Sequence, residues 1–491
     1  MGLWLLLILT SLFSYFLVQR SVARITRTPA WILWLALSMP IFIVIISGFT
    51  SGTLKAILSF LAIAAFFISP VLYWRLIQLG RTDTQPAEKT TAPATAEKES
   101  KLRPIDQTEE TNLRNCFPWS IYYLENIEYR PQAVLCRGKL RSNPELAYKT
   151  IWENISQQFG DRFFLIFQEG LNGKPFFALV PNPQAAKTAP PNSEPLIKPF
   201  FALALLAFTF CTTTFFGGNA LFAEQIGKVT TLGQLFNPAI LKQGLFYSLA
   251  VMAILGIHEL GHYLVAVFYK IRATLPYFIP IPFFPGTFGA FMQMRSPVPH
   301  RKALFDMAIA GPVAGLILTF PILLWGLSLS TVVPLTENSH FLNFKALDPR
   351  FSLLLALLSK LALGSSLTAK TAIYLHPLAV AGYMGLLFAA FNLMPVGQLD
   401  GGHIVHAMFG QRTAAAIGQI ARLLMLGISL FQPDLLLWAI LLFFLPTIDE
   451  PALNDVSELD NWRDLSGLLA LTLLIAIVLP IPERLTQLLS F

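Results

Sequence analysis

The sequence is poor in charged residues and in cysteine, and each shortage excludes a class of protein. Only 13% of its 491 residues are Asp, Glu, Lys or Arg, whereas a soluble protein has about 25%. Together with a hydrophobic fraction of 54%, this composition indicates a polytopic membrane protein. The three cysteines, Cys116, Cys136 and Cys211, lack paired spacing, which argues against a disulfide framework or a cysteine-based zinc site.

Targeting signals are also missing from the N-terminal stretch. The first apolar run ends at Gln19 and Arg20 without a small-residue cleavage site, so we expect no cleavable signal peptide. The stretch also lacks the Arg- and Ser-rich composition of an organelle import presequence. We interpret the net charge of +7 as a topology signal in short loops, and we expect no nucleic-acid partner.

Long apolar runs are abundant, and they approach or exceed the ~20 residues that cross a bilayer. They predict an all-α membrane protein with about ten spans. The predicted spans are residues 3–18, 30–49, 54–74, 200–222, 240–269, 304–327, 378–395, 413–431, 435–445 and 465–479. Arg20, Arg24 and Arg27 follow the first run, so the positive-inside rule places that loop in the cytoplasm. Residues 351–363 are apolar but short and contain Lys360, which favours a re-entrant or interfacial segment over a span.

Polar stretches divide the chain into four predicted regions. We expect a three-span membrane region at residues 1–78, a disordered linker at 79–111, a small cytoplasmic α+β domain at 112–197, and a membrane-embedded core with C-terminal spans at 198–491. The linker is rich in Thr, Ala, Pro, Glu and Lys, a composition that is typical of solvated, disordered chain.

The α+β domain is predicted from three strand-like runs and one helix. The runs are residues 133–140, 163–168 and 176–180. Asn143 is the predicted N-cap of a helix that extends to about residue 159, with Pro144 at its first position. The domain shows no catalytic constellation, so we interpret it as regulatory or substrate-gating.

An H-E-x-x-H motif at residues 258–262 lies inside the apolar run 240–269. Two histidines at positions i and i+4 share one face of a helix and can bind a single metal ion. Ionisable side chains in a span are costly and therefore seldom lack a function. We predict that His258 and His262 bind one zinc ion per chain and that Glu259 is the general base acting on zinc-bound water.

Asp400 is the candidate for the third zinc ligand. The run 378–395 is predicted to cross the membrane in the same direction as the run with the motif, so its end reaches a similar depth. Two histidines and one carboxylate leave one position of a tetrahedral zinc open, as a catalytic site requires. His403 and His406 are rivals, which we interpret instead as part of an interfacial amphipathic helix.

Asn392 lies about two helical turns before Asp400. Its side chain could donate a hydrogen bond to the oxyanion of a tetrahedral intermediate. The alternative is that Asn392 satisfies backbone groups where the helix ends.

Residues 276–293 are very apolar, yet they contain four Pro and two Gly, which exclude a helix. Extended backbone at membrane depth must be covered by protein or line a cavity. We predict a re-entrant β-hairpin near the metal, whose edge could pair with an unwound substrate. The alternative is a hydrophobic interfacial loop.

These motifs, in this order, resemble the site-2 protease family of intramembrane zinc metalloproteases. The resemblance is carried by residues 258–262, by Asn392 and Pro395 with residues 399–401, and by Gly311 and Pro312. It implies that His258, His262 and Asp400 bind zinc. It also implies that Glu259 is catalytic and that Asn392 supports the active site.

Within this family the chain is most similar to the plant and cyanobacterial branch of ethylene-dependent gravitropism-deficient and yellow-green proteins, through residues 136–141, 285–290 and 449–455. The resemblance implies a zinc-dependent intramembrane endopeptidase whose partners are the lipid bilayer and a transmembrane protein substrate. Without an import presequence, we expect a multi-pass protein of a bacterial, cyanobacterial plasma or thylakoid membrane. The oligomeric state stays open, and the rival function is a non-catalytic scaffold or chaperone with a structural metal site.

Overall fold

The computed structural model describes ten segments and a few isolated residues of the chain. They are residues 29–48, 61, 65, 69, 72, 75–76, 105–130, 133–170, 173–182, 199–222, 238–281, 285–337, 339–432 and 435–488. The chain divides into two compact units, Met1–Ala94 and Thr95–Phe491. In the first unit, helix α1 (Ala30–Gly48) is apolar on all sides and matches the second predicted span. The first predicted span and most of the third lie outside the described residues.

The second unit begins with an α+β domain. Its elements are helix α2 (Gln107–Asn115), strands β1 (Tyr122–Arg130) and β2 (Ala133–Leu140), helix α3 (Pro144–Phe159), and strands β3 (Phe163–Glu169) and β4 (Pro175–Pro181). The strands form one antiparallel sheet in the order β1-β2-β4-β3. Asn143 caps α3 by accepting a hydrogen bond from the amide of Glu145 at 2.9 Å, as the sequence predicts.

Two features of this domain differ from the sequence-based expectation. Helix α2 begins inside the stretch predicted as a linker, because Ile105 and Leu113 are buried in the core of the domain. The ordered domain therefore extends at least to Ile105. Strand β1 was not predicted, since Glu125 and Glu128 interrupt its apolar pattern. The remaining domain boundaries stay predictions.

The remainder of the second unit is mostly helical. Its helices are α4 (Pro199–Phe222), α5 (Pro238–Phe268), α6 (Arg301–Ser328), α7 (Leu353–Leu363), α8 (Pro377–Asn392), α9 (Asp400–Phe409), α10 (Gln411–Phe431), α11 (Leu436–Phe444), α12 (Asn461–Val478) and α13 (Glu483–Leu488). Within the described residues, five helices are long and apolar enough to cross a membrane, namely α4, α5, α6, α10 and α12. Helices α7 and α8 are apolar but shorter, so the count of about ten spans stays a prediction.

Helices α5, α6 and α8 pack against one another and hold the largest buried cluster of apolar side chains. Gly261, inside the H-E-x-x-H motif, faces α6 so closely that a Cβ atom there would lie 2.5 Å from the carbonyl oxygen of Ala310. Small residues at such positions let two helices approach closely. This contact determines how near the motif lies to α6.

Two short antiparallel hairpins complete the unit. They are β5 (Tyr277–Pro280) with β6 (Thr287–Phe291), and β7 (Thr331–Pro334) with β8 (Thr371–Tyr374). The first is the hairpin expected in the Pro-rich stretch, although its re-entrant placement in a membrane stays a prediction. Thr212 of α4 donates a hydrogen bond to the carbonyl oxygen of Gly286, and Tyr247 of α5 donates one to that of Pro285. Pro285 and Gly286, just before β6, are therefore anchored to both helices.

Candidate metal centre

The H-E-x-x-H residues lie in α5, on the side that faces the protein interior. His258 and Glu259 are buried, and the imidazole rings of His258 and His262 are 4.8 Å apart. Their Nε2 atoms are 3.2 Å apart. Spacing of four residues along a helix therefore brings both imidazoles to one point, as the sequence predicts.

Asp400, the first residue of α9, completes this group. Its Oδ2 lies 3.4 Å from Nε2 of His258, and its Oδ1 lies 3.4 Å from Nε2 of His262. One potential ligand atom from each of the three residues lies within 4.8 Å of the others. The structure thus brings together the three residues that the sequence suggests as ligands.

The three side chains fit a zinc ion. Asp400 Oδ2 is buried and makes no hydrogen bond to any residue that the structure describes, and a buried oxygen in this state needs a cation or another partner. Two imidazole nitrogens and one carboxylate are a donor set that zinc prefers, with a fourth position left for water.

Neighbouring groups determine the orientation of the His262 ring. Nδ1 of His262 donates a hydrogen bond to the carbonyl oxygen of Met307 at 2.7 Å, so Nε2 keeps its lone pair for a metal. Gly311 of α6 leaves room for this ring. A Cβ atom at Gly311 would lie 2.1 Å from Nε2 of His262, so only glycine leaves room for the ring.

Asn392, the last residue of α8, reaches the same place. Its Nδ2 lies 3.3 Å from Nε2 of His258. Asn392 and the metal-centre residues line a cavity of about 210 Å³. Ala290, Phe291 and Met292, at the end of the hairpin, line the cavity as well. The structure thus brings Asn392 to the cavity.

His403 and His406, the rival ligands, contact other carboxylates than Asp400, although His403 also lines the cavity. His403 Nδ1 lies 2.7 Å from Oδ2 of Asp449, and His406 Nδ1 lies 2.7 Å from the same oxygen. His406 Nε2 is 3.0 Å from Asp455 Oδ1. The interpretation of an interfacial helix is wrong, because α9 packs inside the protein and His406 is fully buried. Asp449 and Asp455 entered the sequence reasoning only through a resemblance, without a functional role.

Comparison with known proteins is consistent with this geometry. Residues 246–431 match the profile of Peptidase family M50. "Probable zinc metalloprotease EGY2, chloroplastic" of Oryza sativa subsp. indica is 31% identical over 385 residues, which cover 76% of this chain and 67% of that protein. "Probable zinc metalloprotease EGY1, chloroplastic" of Arabidopsis thaliana is 38% identical over 239 residues, which cover 48% and 43%. No solved structure matches the chain.

The relatives contradict the predicted bacterial membrane. The two proteins above, and a rice "Probable zinc metalloprotease EGY3, chloroplastic" that is 24% identical over 376 residues, are named as chloroplastic proteins of plants. The prediction of a bacterial plasma or thylakoid membrane is therefore wrong. The chain spans about two thirds or less of the length of these relatives.

The match to the family profile covers most of α5, including its H-E-x-x-H motif, and all of α9, with Asp400. The rice relative extends the similarity over most of the chain. The EGY2 and EGY1 relatives are both named probable zinc metalloproteases. The chain therefore belongs to the site-2 protease family, Peptidase family M50, in its EGY branch, and it is a zinc-dependent membrane metalloprotease.

Proposed function

We propose that this protease hydrolyses peptide bonds within membrane-spanning protein substrates, with His258, His262 and Asp400 as its zinc ligands. The observation that carries the proposal is the position of these residues. They meet at a buried point of α5, a helix long and apolar enough to cross a membrane. A hydrolytic site at such a point meets peptide bonds that a soluble protease does not reach.

The reaction follows from the groups around the cavity. A zinc ion held by His258, His262 and Asp400 would lower the pKa of a bound water and polarise the carbonyl group of the scissile peptide bond. Glu259 lines the cavity beside both histidines, and it takes a proton from the attacking water. The water oxygen then bonds to the carbonyl carbon. Glu259 passes the proton to the leaving nitrogen as the C–N bond breaks, which yields a carboxylic acid and an amine.

Asn392 supports the same step. Its Nδ2 lies beside His258, and Asn392 lines the cavity in which the peptide bond would lie. A neutral amide N–H can donate a hydrogen bond to the carbonyl oxygen as that oxygen becomes negatively charged. We therefore propose Asn392 as the oxyanion donor.

The hairpin supports a transmembrane substrate. A substrate helix closes off its own peptide groups and must unwind before it is cut. Strand β6 is paired with β5 alone among the described strands, and Ala290 and Phe291 at its end line the cavity. An unwound segment that adds to the edge of β6 would present an extended backbone to Glu259.

The relatives support a location for the reaction. The EGY1, EGY2 and EGY3 proteins are each named chloroplastic. We therefore propose a chloroplast membrane as the site of action and a membrane protein of that organelle as the substrate.

The test compares Glu259→Gln with the wild-type protein on a model transmembrane substrate in liposomes. We expect Glu259→Gln to keep about one zinc per chain while its cleavage rate falls by ~10³-fold, because a general base contributes about 10²–10⁴. Glu337→Gln is the matched control, since Glu337 is exposed on a loop.

Two results would contradict the proposal. Cleavage by Glu259→Gln at the wild-type rate would exclude Glu259 as the base. A wild-type protein that holds zinc but leaves every transmembrane substrate intact would instead favour a non-catalytic scaffold or chaperone with a structural metal site.

A further inference from the structure

A second cluster of histidines and carboxylates lies next to the metal centre. We name it the His406 cluster, and its members are His403, His406, Asp449 and Asp455. His406 is fully buried and lies between the two carboxylates, with Nδ1 2.7 Å from Asp449 and Nε2 3.0 Å from Asp455. His403 contacts the same oxygen of Asp449 as His406 does.

The geometry determines the charge of His406. A carboxylate only accepts hydrogen bonds, so both ring nitrogens of His406 must carry protons. Burial by itself would lower the pKa of His406, but the hydrogen bonds to Asp449 and Asp455 raise it to about 9. Burial would likewise raise the pKa of Asp449, but His403 and His406 lower it to about 2. The cluster is therefore a buried set of ion pairs that supplies its own cation.

Asp455 connects this cluster to the α+β domain. Its amide donates a hydrogen bond to the carbonyl oxygen of Phe167 in β3 at 2.8 Å, and the amide of Phe167 donates one to Leu453 at 2.7 Å. On its other side, the amide of Leu453 donates to the carbonyl oxygen of Val298, shortly before α6 begins. Residues 453–455 thus form an extended segment between the soluble sheet and the membrane core.

The same cluster is connected to the metal centre through α9. This helix has ten residues, with Asp400 at its first position and His406 less than two turns further on. Arg301 of α6 donates a hydrogen bond to the carbonyl oxygen of Ala407 at 2.8 Å. This bond holds the C-terminal end of α9. A helix this short moves as one body, so the contacts of His406 help to determine where Asp400 lies.

We propose that His406 and Asp455 are positioning residues of the protease, which hold α9, and with it Asp400, against the segment bound by the α+β domain. The domain then supports the metal centre through β3. The inference depends on the proposed function only in taking Asp400 as a zinc ligand. Partners that orient a ligand in this way change metal affinity by about 10–100-fold when they are removed.

The experiment uses the full chain in detergent and measures zinc affinity by competition with a chelator. His406→Gln, Asp455→Asn and the double variant are compared with His340→Gln, whose residue is exposed on a loop. We expect each single variant to bind zinc about 10–100-fold more weakly. We expect the double variant to bind zinc as weakly as the more affected of the two single variants. Both changes remove the same contact, the one between His406 and Asp455, so their effects should not add.

Two further measurements separate positioning from general destabilisation. The visible spectrum of the cobalt-substituted protein reports the geometry of the ligands, and we expect it to shift in His406→Gln and Asp455→Asn but not in His340→Gln. Hydrogen exchange at the amide of Asp455 should accelerate in His406→Gln, because the carboxylate that fixes this segment has lost its partner.

An unchanged zinc affinity and cobalt spectrum in the single variants would overturn the proposal, as would fully additive effects in the double variant. If His406→Gln fails to fold, Asp455→Asn carries the test, since it keeps the shape of the side chain. Metal binding is measured without a substrate. A wild-type protein that cleaves nothing would therefore contradict the proposed function and leave this result intact.

Discussion

The metal centre and the His406 cluster contain the same residue types in opposite states. In the metal centre, the histidine nitrogens lie 3.4 Å from the oxygens of Asp400, and one of these oxygens has no hydrogen bond within the described chain. In the His406 cluster the corresponding distances are 2.7 and 3.0 Å. Side chains that point at a common centre are ready for a metal, whereas side chains that point at each other are already paired.

The difference follows from the cost of burying charge. A buried carboxylate without a cation is strongly unfavourable. In the His406 cluster the imidazolium of His406 is the cation that balances the buried carboxylates. The metal centre has no such cation among its own side chains and requires an added ion. Residue type alone therefore does not distinguish a metal site from an ion pair. The two are distinguished by the direction in which the ring nitrogens point.

The largest effect is expected from Gly311→Ala. The added methyl would lie 2.1 Å from Nε2 of His262, so the ring must turn away, and we expect zinc affinity and cleavage to fall by about 100-fold or more. Zinc content and chelator competition measure the loss. Gly427→Ala in α10 is the control, since its added methyl would meet no described atom within 4 Å apart from the neighbouring backbone of its own helix. Wild-type zinc binding by Gly311→Ala would show that the ring has another position available.

An intermediate effect is expected from Asp449→Asn. The change leaves His403 and His406 without their shared anion, and breaking a buried ion pair from one side costs about 3–5 kcal/mol. Thermal unfolding in detergent measures the loss of stability. Asp161→Asn is the control, since Asp161 is exposed. An unfolding temperature equal to that of the control would mean that the cluster contributes little to stability.

The smallest effect is the pH dependence of the wild-type protein without metal. The pKa of His406 is raised from 6.5 to about 9, so its stabilising contribution is complete below pH 6.5 and is lost as pH rises through 9. The pKa of Asp449 is lowered from 3.8 to about 2, so its contribution is present above pH 3.8 and is lost as pH falls through 2. We expect the unfolding temperature to be highest between pH 3.8 and pH 6.5, where both contributions are complete. An unfolding temperature that does not fall as the pH rises through 9 would argue against a charged His406.

Local patterns were sufficient for several parts of the structure. The spacing of His258 and His262 predicts one helix face, because side chains four residues apart are neighbours on any α-helix. Asn143 and Pro144 predict the start of α3 for equally local reasons. Strand β1 was missed because its alternation is interrupted by Glu125 and Glu128, which face solvent and pair with basic side chains of β2.

The sequence by itself determined the apolar helices, the H-E-x-x-H motif and, through the resemblance, the family. Only the tertiary structure decided that Gly311 makes room for His262, and that Asp449 and Asp455 engage His406 rather than a metal. The physical reason is that these contacts join residues far apart in the chain, so they depend on how α5, α6 and α9 pack. A sequence pattern along one helix does not determine the distance from that helix to a neighbouring one.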